Sequence, residues 1–272
     1  MRRITQKFGR GVSRGVSRGV SRGVSRGLSR GSARRLGAAA IALPLLLGLP
    51  APSGAAEETL HLTTEQYAPF NFDQNGVVIG LGADQVREIM RRSGIAFDME
   101  LLPWSRAIGL ARERPMTCVF TTAHTVDRDN NFKWIEPLLV ERTLLIRATG
   151  SGVEPADLAD ATAYRTGTQT GDYTVELLRN AGFTQIDLAR DLDLTLKKLL
   201  SGRVDLMAVS ESFVHRLQAE NVPIQEVAVL FEQVFSIACS PATPDGIVDR
   251  LQKALTAMIA DGTQAEILAR YR

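Results

Sequence analysis

Several residue types are scarce in this chain, and each scarcity removes a class of protein. Only three histidines (His61, His124, His215) and two cysteines (Cys118, Cys239) occur, scattered over 272 residues. That is too few for the His/Cys ligand spacings of a metal centre or the framework of a disulfide scaffold. There is no P-loop, no GxGxxG at a strand–helix junction, no HExxH and no GxSxG, so the common nucleotide, zinc-peptidase and serine-hydrolase signatures are missing. Aromatic residues make up only 6%, but 44% hydrophobic and 23% charged residues are globular proportions and exclude disordered or collagen-like chains. Residues 1–56 contain no acidic side chain at all.

Those first 56 residues hold eleven of the 32 basic groups, leaving 21 basic against 30 acidic ones in 57–272. The basic pI therefore belongs to the leading segment, and a nucleic-acid role loses its electrostatic support once that segment is set aside. Within it, 11–30 is a tandem repeat, Gly-Val-Ser-Arg four times and then Gly27-Leu28-Ser29-Arg30, with no apolar face to bury. The uncharged run over 36–49 has 14 residues and includes Pro44. It falls short of the about 20 that span a bilayer. A positive segment, a short apolar run and the small residues Gly54-Ala55-Ala56 make a secretory signal, cleaved after Ala55 or Ala56. Export and removal of the segment are the expectation.

The remainder alternates short β-like runs with amphipathic helical ones, which is α/β patterning. Strands are predicted over 59–64, 97–102, 117–121 and 138–147, and helices over 83–92 and 105–112. A break at Gly150-Ser151-Gly152 precedes a second series. That series has strands over 163–166, 184–188, 204–209, 226–230 and 235–239, with helices over 174–180, 192–200 and 212–220. A closing helical pattern over 246–271 is broken at Asp261-Gly262. Two series of this size make two small lobes, and the cleft between lobes is a usual place for a small-molecule site.

The candidate chemistry clusters after strands. Tyr67-Ala68-Pro69-Phe70 follows the first strand and Trp104 the second, where open α/β sheets bind ligands. Arg128, in the polar stretch after the third strand, is placed to clamp a carboxylate through two parallel hydrogen bonds. A lone loop arginine is usually only solvated; the company of Tyr67 and Trp104 raises this one above that. Trp134 reads as packing. His61 lies in a strand and His215 in a helix, which marks both as structural, and His124 has no sequence partner. Cys118 and Cys239 both fall in predicted strands, so they pair only if those strands are neighbours; the alternative is two buried thiols.

At these residues the chain resembles family 3 extracellular solute-binding proteins of ABC importers, the polar amino-acid type, over essentially all of 57–272. Tyr67-Ala68-Pro69-Phe70 with Gly76, Gly80 and Asp84 is similar to the family's opening strand–loop–helix. Thr125-Val126-Asp127-Arg128 with Trp134 and Pro137 is similar to its Thr-Pro-Glu-Arg…Phe-Ser-Asp-Pro stretch. Gly167…Gly171, Gly202-Arg203-Val204-Asp205 and Asp261-Gly262-Thr263…Tyr271 follow in the family's order. Pro103-Trp104-Ser105-Arg106 resembles a subgroup variant.

The resemblance implies a type II periplasmic-binding-protein fold, two lobes joined by two crossing strands. Lobe I would be 57–148 plus 230–272 and lobe II 149–229, which puts both cysteines in lobe I, in strands the fold can set side by side. It implies a ligand α-carboxylate on Arg128, aromatic cover from Tyr67 and Trp104, and backbone N–H groups near Thr121, Ala123 and Gly171-Asp172-Tyr173. Where the family commonly has an amine-binding aspartate this chain has Ser210 with Glu211 next, and at the opening strand Thr64 with Glu65 beside it. Either the acid has moved to Glu65, Asp172 or Glu211, or the ligand lacks the amine. The expected protein is a monomeric, non-catalytic periplasmic carrier of a small carboxylated solute. It would need no cofactor or metal and would have an inner-membrane ABC permease as partner. The rivals are a cyclohexadienyl dehydratase-like enzyme with Glu211 as its acid, and a sensor or accessory subunit.

Overall fold

The computed structural model describes residues 59–271. The basic repeats, the apolar run and both cleavage positions lie outside the described residues. The chain opens with β1 (Leu60–Thr64), a hairpin of β2 (Phe72–Gln74) and β3 (Val77–Ile79), and α1 (Leu81–Ser93). Then come β4 (Phe97–Leu101), α2 (Trp104–Glu113), β5 (Thr117–Ala123) and the long β6 (Lys133–Ala148). A second series follows, of α3 (Leu158–Ala161), β7 (Thr166–Gln169), α4 (Thr174–Asn180), β8 (Ile186–Ala189), α5 (Leu192–Leu200), β9 (Leu206–Ser210) and α6 (Glu211–Ala219). The equally long β10 (Ile224–Cys239), α7 (Asp245–Ala260) and α8 (Thr263–Ala269) close the chain.

One eight-stranded sheet runs in the order β4-β1-β5-β10-β6-β9-β7-β8. Parallel trios form its two ends, and the antiparallel pair β6 and β10 passes through both. Local chemistry accounts for the helices. α1 buries Val86, Ile89 and Met90 on one stripe and stops at Gly94, whose φ of 64° and N–H bond to the Met90 carbonyl make a left-handed cap. In α5 the Asp191 carboxylate accepts the Leu194 N–H at 2.7 Å, an N-cap placed where the periodicity starts. The core of the β4-β1-β5 end packs Leu60, Leu62 and Phe120 against Ile89, Leu251 and Leu255, all fully buried or nearly so. Each such side chain contributes roughly 1.5–3 kcal/mol relative to exposure.

Three expectations need correction. The strand expected over 163–166 is β7, three residues later, because Ala163 and Tyr164 continue the turn of α3 through bonds to the Asp160 and Ala161 carbonyls. The strands expected over 226–230 and 235–239 are one strand, β10, whose polar Glu232-Gln233 stays in register with Arg142 and Glu141. β6 begins five residues before 138 and contains Pro137, which sits in the irregularity between the Leu139–Phe235 and Ile135–Ile237 pairs and so costs no ladder bond. The hairpin β2–β3 was not expected at all, since it is only three residues a side.

Cys118 and Cys239 lie directly opposite each other on β5 and β10 and form a disulfide spanning 121 residues. Gly80 has φ +123°, and a Cβ there would stand 2.3 Å from the Phe70 carbonyl oxygen. Backbone cannot yield as a side chain can, so Gly80→Ala is expected to lower stability by about 1–3 kcal/mol in urea unfolding. An unchanged midpoint would show that the turn before α1 is looser than this.

Candidate functional site

The loops after the C-terminal ends of β1, β4, β5, β7 and β9 converge, as the topology of parallel strands requires. They carry Glu65 and Tyr67, Trp104, Arg128, Gln169 to Tyr173, and Ser210. Hydrogen bonds join the two ends of the sheet there. Tyr67 Oη donates to Ser210 Oγ at 2.7 Å and accepts the Ser210 N–H at 3.3 Å. Gln169 Nε2 donates to Glu65 Oε2 at 2.7 Å. The Gly171 carbonyl accepts from both Trp104 Nε1, at 2.9 Å, and Arg128, at 3.0 Å.

Arg128 is only 8% exposed, and its other bond goes to the Ala123 carbonyl at 3.3 Å. Its guanidinium lies 5.4 Å over the Trp104 ring, a cation–π stack that orients the fork. Among the described residues it makes no ion pair, and burial lowers its pKa while Asp172 works the other way. Asp172 is held by the N–H and hydroxyl of Thr174, and burial nevertheless raises its pKa. Tyr173 shares a 2.9 Å bond with Thr143, and burial pushes its phenol, like that of Tyr67, above the ordinary range. Thr121 is the extra residue of a bulge between the Phe120–Ile237 and Thr122–Ser236 pairs, with φ 58° and its hydroxyl on Asn71 Oδ1 at 3.0 Å.

Glu65 has the most displaced carboxyl of the set. Burial is the largest cause, and with repulsion from Asp172 it pushes the pKa up to about 8 against the bond from Gln169. The folded chain therefore binds more protons than the unfolded one from about pH 4.5 to about pH 8, so stability falls as pH rises through that window. Glu65→Gln keeps the bonding partner without the charge. Its melting temperature is expected to match the wild type near pH 4 and exceed it at pH 8, and parallel pH profiles would overturn the assignment.

The expected residues Tyr67, Trp104, Thr121, Ala123, Arg128, Gly171, Asp172, Tyr173 and Ser210 are thus gathered, while Glu211 is not. It heads α6, pairs with Arg142 on β6, and that bond lowers its pKa, the opposite of what an acid catalyst needs. Glu211 lines a groove of about 930 Å³ with Pro69, Leu138, Val140, Glu141 and Tyr271, and both carboxylates there are already bonded, Glu211 to Arg142 and Glu141 to Ser212. A smaller cavity of about 470 Å³ lies against Arg128, Gly171, Asp172 and Tyr173, next to Arg112 and Thr125. The chemistry favours the smaller one. Gln169 was missed because the strand before it was placed three residues early; a strand ending at Gln169 would have set it beside Gly171. Its Oε1 is buried without a donor among the described residues.

Residues 61–272 match the bacterial extracellular solute-binding proteins, family 3, and the chain belongs to that family. A protein named as a probable histidine-binding protein of Campylobacter jejuni is 20% identical over 231 residues, covering 80% of this chain and 88% of its own. An ancestral arginine-binding protein bound to arginine superposes with a TM-score of 0.69 at 21% identity, over 78% of this chain and 97% of the other. An ancestral amino acid-binding protein described as a precursor of cyclohexadienyl dehydratase gives 0.67 at 17%, over 78% and 94%. These likenesses establish the type II periplasmic-binding-protein fold. Among the described residues no helix is long and apolar enough to cross a membrane.

Proposed function

We propose that this chain is a monomeric periplasmic carrier that captures a small amino acid with a second, cationic group and delivers it to an ABC permease in the inner membrane. Lobe I, 57–148 with 230–272, and lobe II, 149–229, part and close about β6 and β10. The observation that carries this reading is Arg128, a buried guanidinium whose partners among the described residues are neutral carbonyls. A ligand carboxylate offers it two charged acceptors in fork geometry, and takes the place of the Gly171 carbonyl when the lobes part. Among the described residues the buried Glu65 carboxyl, Asp172 and Gln169 Oε1, which has no donor there, stand together as acceptors. That grouping suits a ligand amine, in keeping with relatives named for histidine and arginine.

The test is a thermal-shift panel of amino acids, organic acids and polyamines on refolded 57–272 protein. A ligand at about 100 times its Kd adds roughly 2.7 kcal/mol, and each kcal/mol moves the midpoint by about 2–4 °C. A cationic amino acid is the expected hit, and a flat response across the panel would sink the reading.

One observation favours a second reading. A carboxyl that keeps its proton near neutrality is what general-acid chemistry requires, and Glu65 meets that condition where Glu211 does not. Product formation from prephenate or arogenate, lost in Glu65→Gln, would establish an enzyme on this scaffold.

A further inference from the structure

His124 follows β5 and begins the loop that ends at Arg128. Its Nδ1 stands 2.8 Å from Glu136 Oε2 and its Nε2 2.9 Å from Asp129 Oδ1. A neutral imidazole has one N–H and one lone pair, so it can satisfy only one carboxylate and repels the other; an imidazolium donates to both. The ring also lies flat on Trp134, centroids 4.0 Å apart and planes 10° from parallel, an arrangement that favours the cation. Trp134 Nε1 in turn donates to the Asp129 carbonyl at 3.1 Å. The loop is thus pinned to β6 at three points.

The charged groups facing the ring are Asp129 from its own loop and Glu136 from β6. β10 supplies the Ser236 hydroxyl, bonded to the same Glu136 oxygen at 2.7 Å, and the Val234 carbonyl, which accepts the His124 backbone N–H at 3.1 Å. α7 supplies the uncharged Gln252, bonded to the Glu136 backbone. Among the described residues no lysine or arginine pairs with Asp129 or Glu136, so His124, when protonated, is the group that neutralises them.

We propose that His124 is a positioning residue which, as an imidazolium, clasps the 124–129 loop to β6 and so holds Arg128 in its ligand-binding place. The clasp opens when the ring loses its proton. Amino-acid affinity then weakens as pH rises, so the carrier holds solute more tightly in acid than in alkali. The ligand part of this inference rests on the proposed carboxylate site; the clasp itself does not.

The experiment compares the protein with His124→Gln, which keeps a polar side chain but cannot become a cation. Amide hydrogen exchange over 125–131 is measured without ligand, and L-arginine binding by calorimetry, both from pH 5.5 to 9. The ratio of variant to wild type is read in each case, so the titration of Glu65, shared by both proteins, cancels. Exchange is expected about tenfold faster in the variant at pH 5.5, with the ratio falling to one by pH 9, and the Kd ratio for arginine should follow. An exchange ratio that does not change with pH would overturn the clasp, including the case of a constant structural defect. A pH-dependent exchange ratio with a flat arginine ratio would overturn the link to Arg128. If the wild type binds no panel amino acid while the exchange ratio behaves as expected, the clasp stands and the carrier reading fails.

Discussion

Arg128→Ala is expected to raise the Kd for the carboxylated ligand by a factor of about 30 to several thousand, the 2–5 kcal/mol typical of removing one partner of a buried, hydrogen-bonded charge pair. The size follows from burial. At 8% exposure the guanidinium acts with little screening from water, and the Trp104 face beneath it fixes the plane of its fork. The loss should fall on binding more than on folding. Trp104 still bonds the Gly171 carbonyl in the variant, while the buried Ala123 carbonyl loses its Arg128 donor, a smaller cost to the fold. Arg128→Lys should lie between wild type and alanine, since it keeps the charge but not the two-pronged donor. Calorimetry with the hit from the ligand panel, alongside urea unfolding of the same proteins, checks both halves. Unchanged affinity in Arg128→Ala would place the carboxylate elsewhere.

Removing the Cys118–Cys239 bond should cost the fold about 4–5 kcal/mol, from the chain-entropy relation for a 121-residue separation. For a chain of this size that lowers the melting temperature by roughly 8–20 °C. The double variant Cys118→Ala/Cys239→Ala and the reduced wild type should agree with each other. Ligand affinity should barely change, because the bond lies at the start of β5 while the site forms beyond the strand's other end. A midpoint that reductant leaves in place would mean that the cysteines do not staple the two strands.

The helices were the legible part of the fold. Residues 174–180 and 192–200 were placed to the residue because their signals are local: Gly182 and Gly202 past their ends, and apolar residues at the 3.6 period. Strands were less legible. Thr166-Gly167-Thr168-Gln169 has no apolar alternation, yet all four residues are buried. Gly167 supplies the reason: a Cβ there would stand 3.0–3.1 Å from Thr195 and Val204, so the small residue admits α5 and the Val204 side chain against the sheet. Nothing within four residues of sequence announces that.

The site divided along the same line. Tyr67, Trp104 and Arg128 could be named from sequence because each follows a strand and carries chemistry that suits a cleft. Glu65, Gln169 and His124 could not be ranked, since their meaning lies in partners 104, 104 and up to 12 residues away. A carboxyl's pKa is set by what buries it, and an imidazole's charge by what faces each nitrogen. Neither quantity exists until the chain is folded. By itself the sequence determined the leading basic segment, the α/β order of elements, the helices and the family. The tertiary structure alone decided that two cysteines meet, that Glu211 pairs with Arg142, and that burial raises the Glu65 pKa. Period and capping act over a few residues and are written locally, whereas desolvation and charge pairing depend on distances that only packing sets.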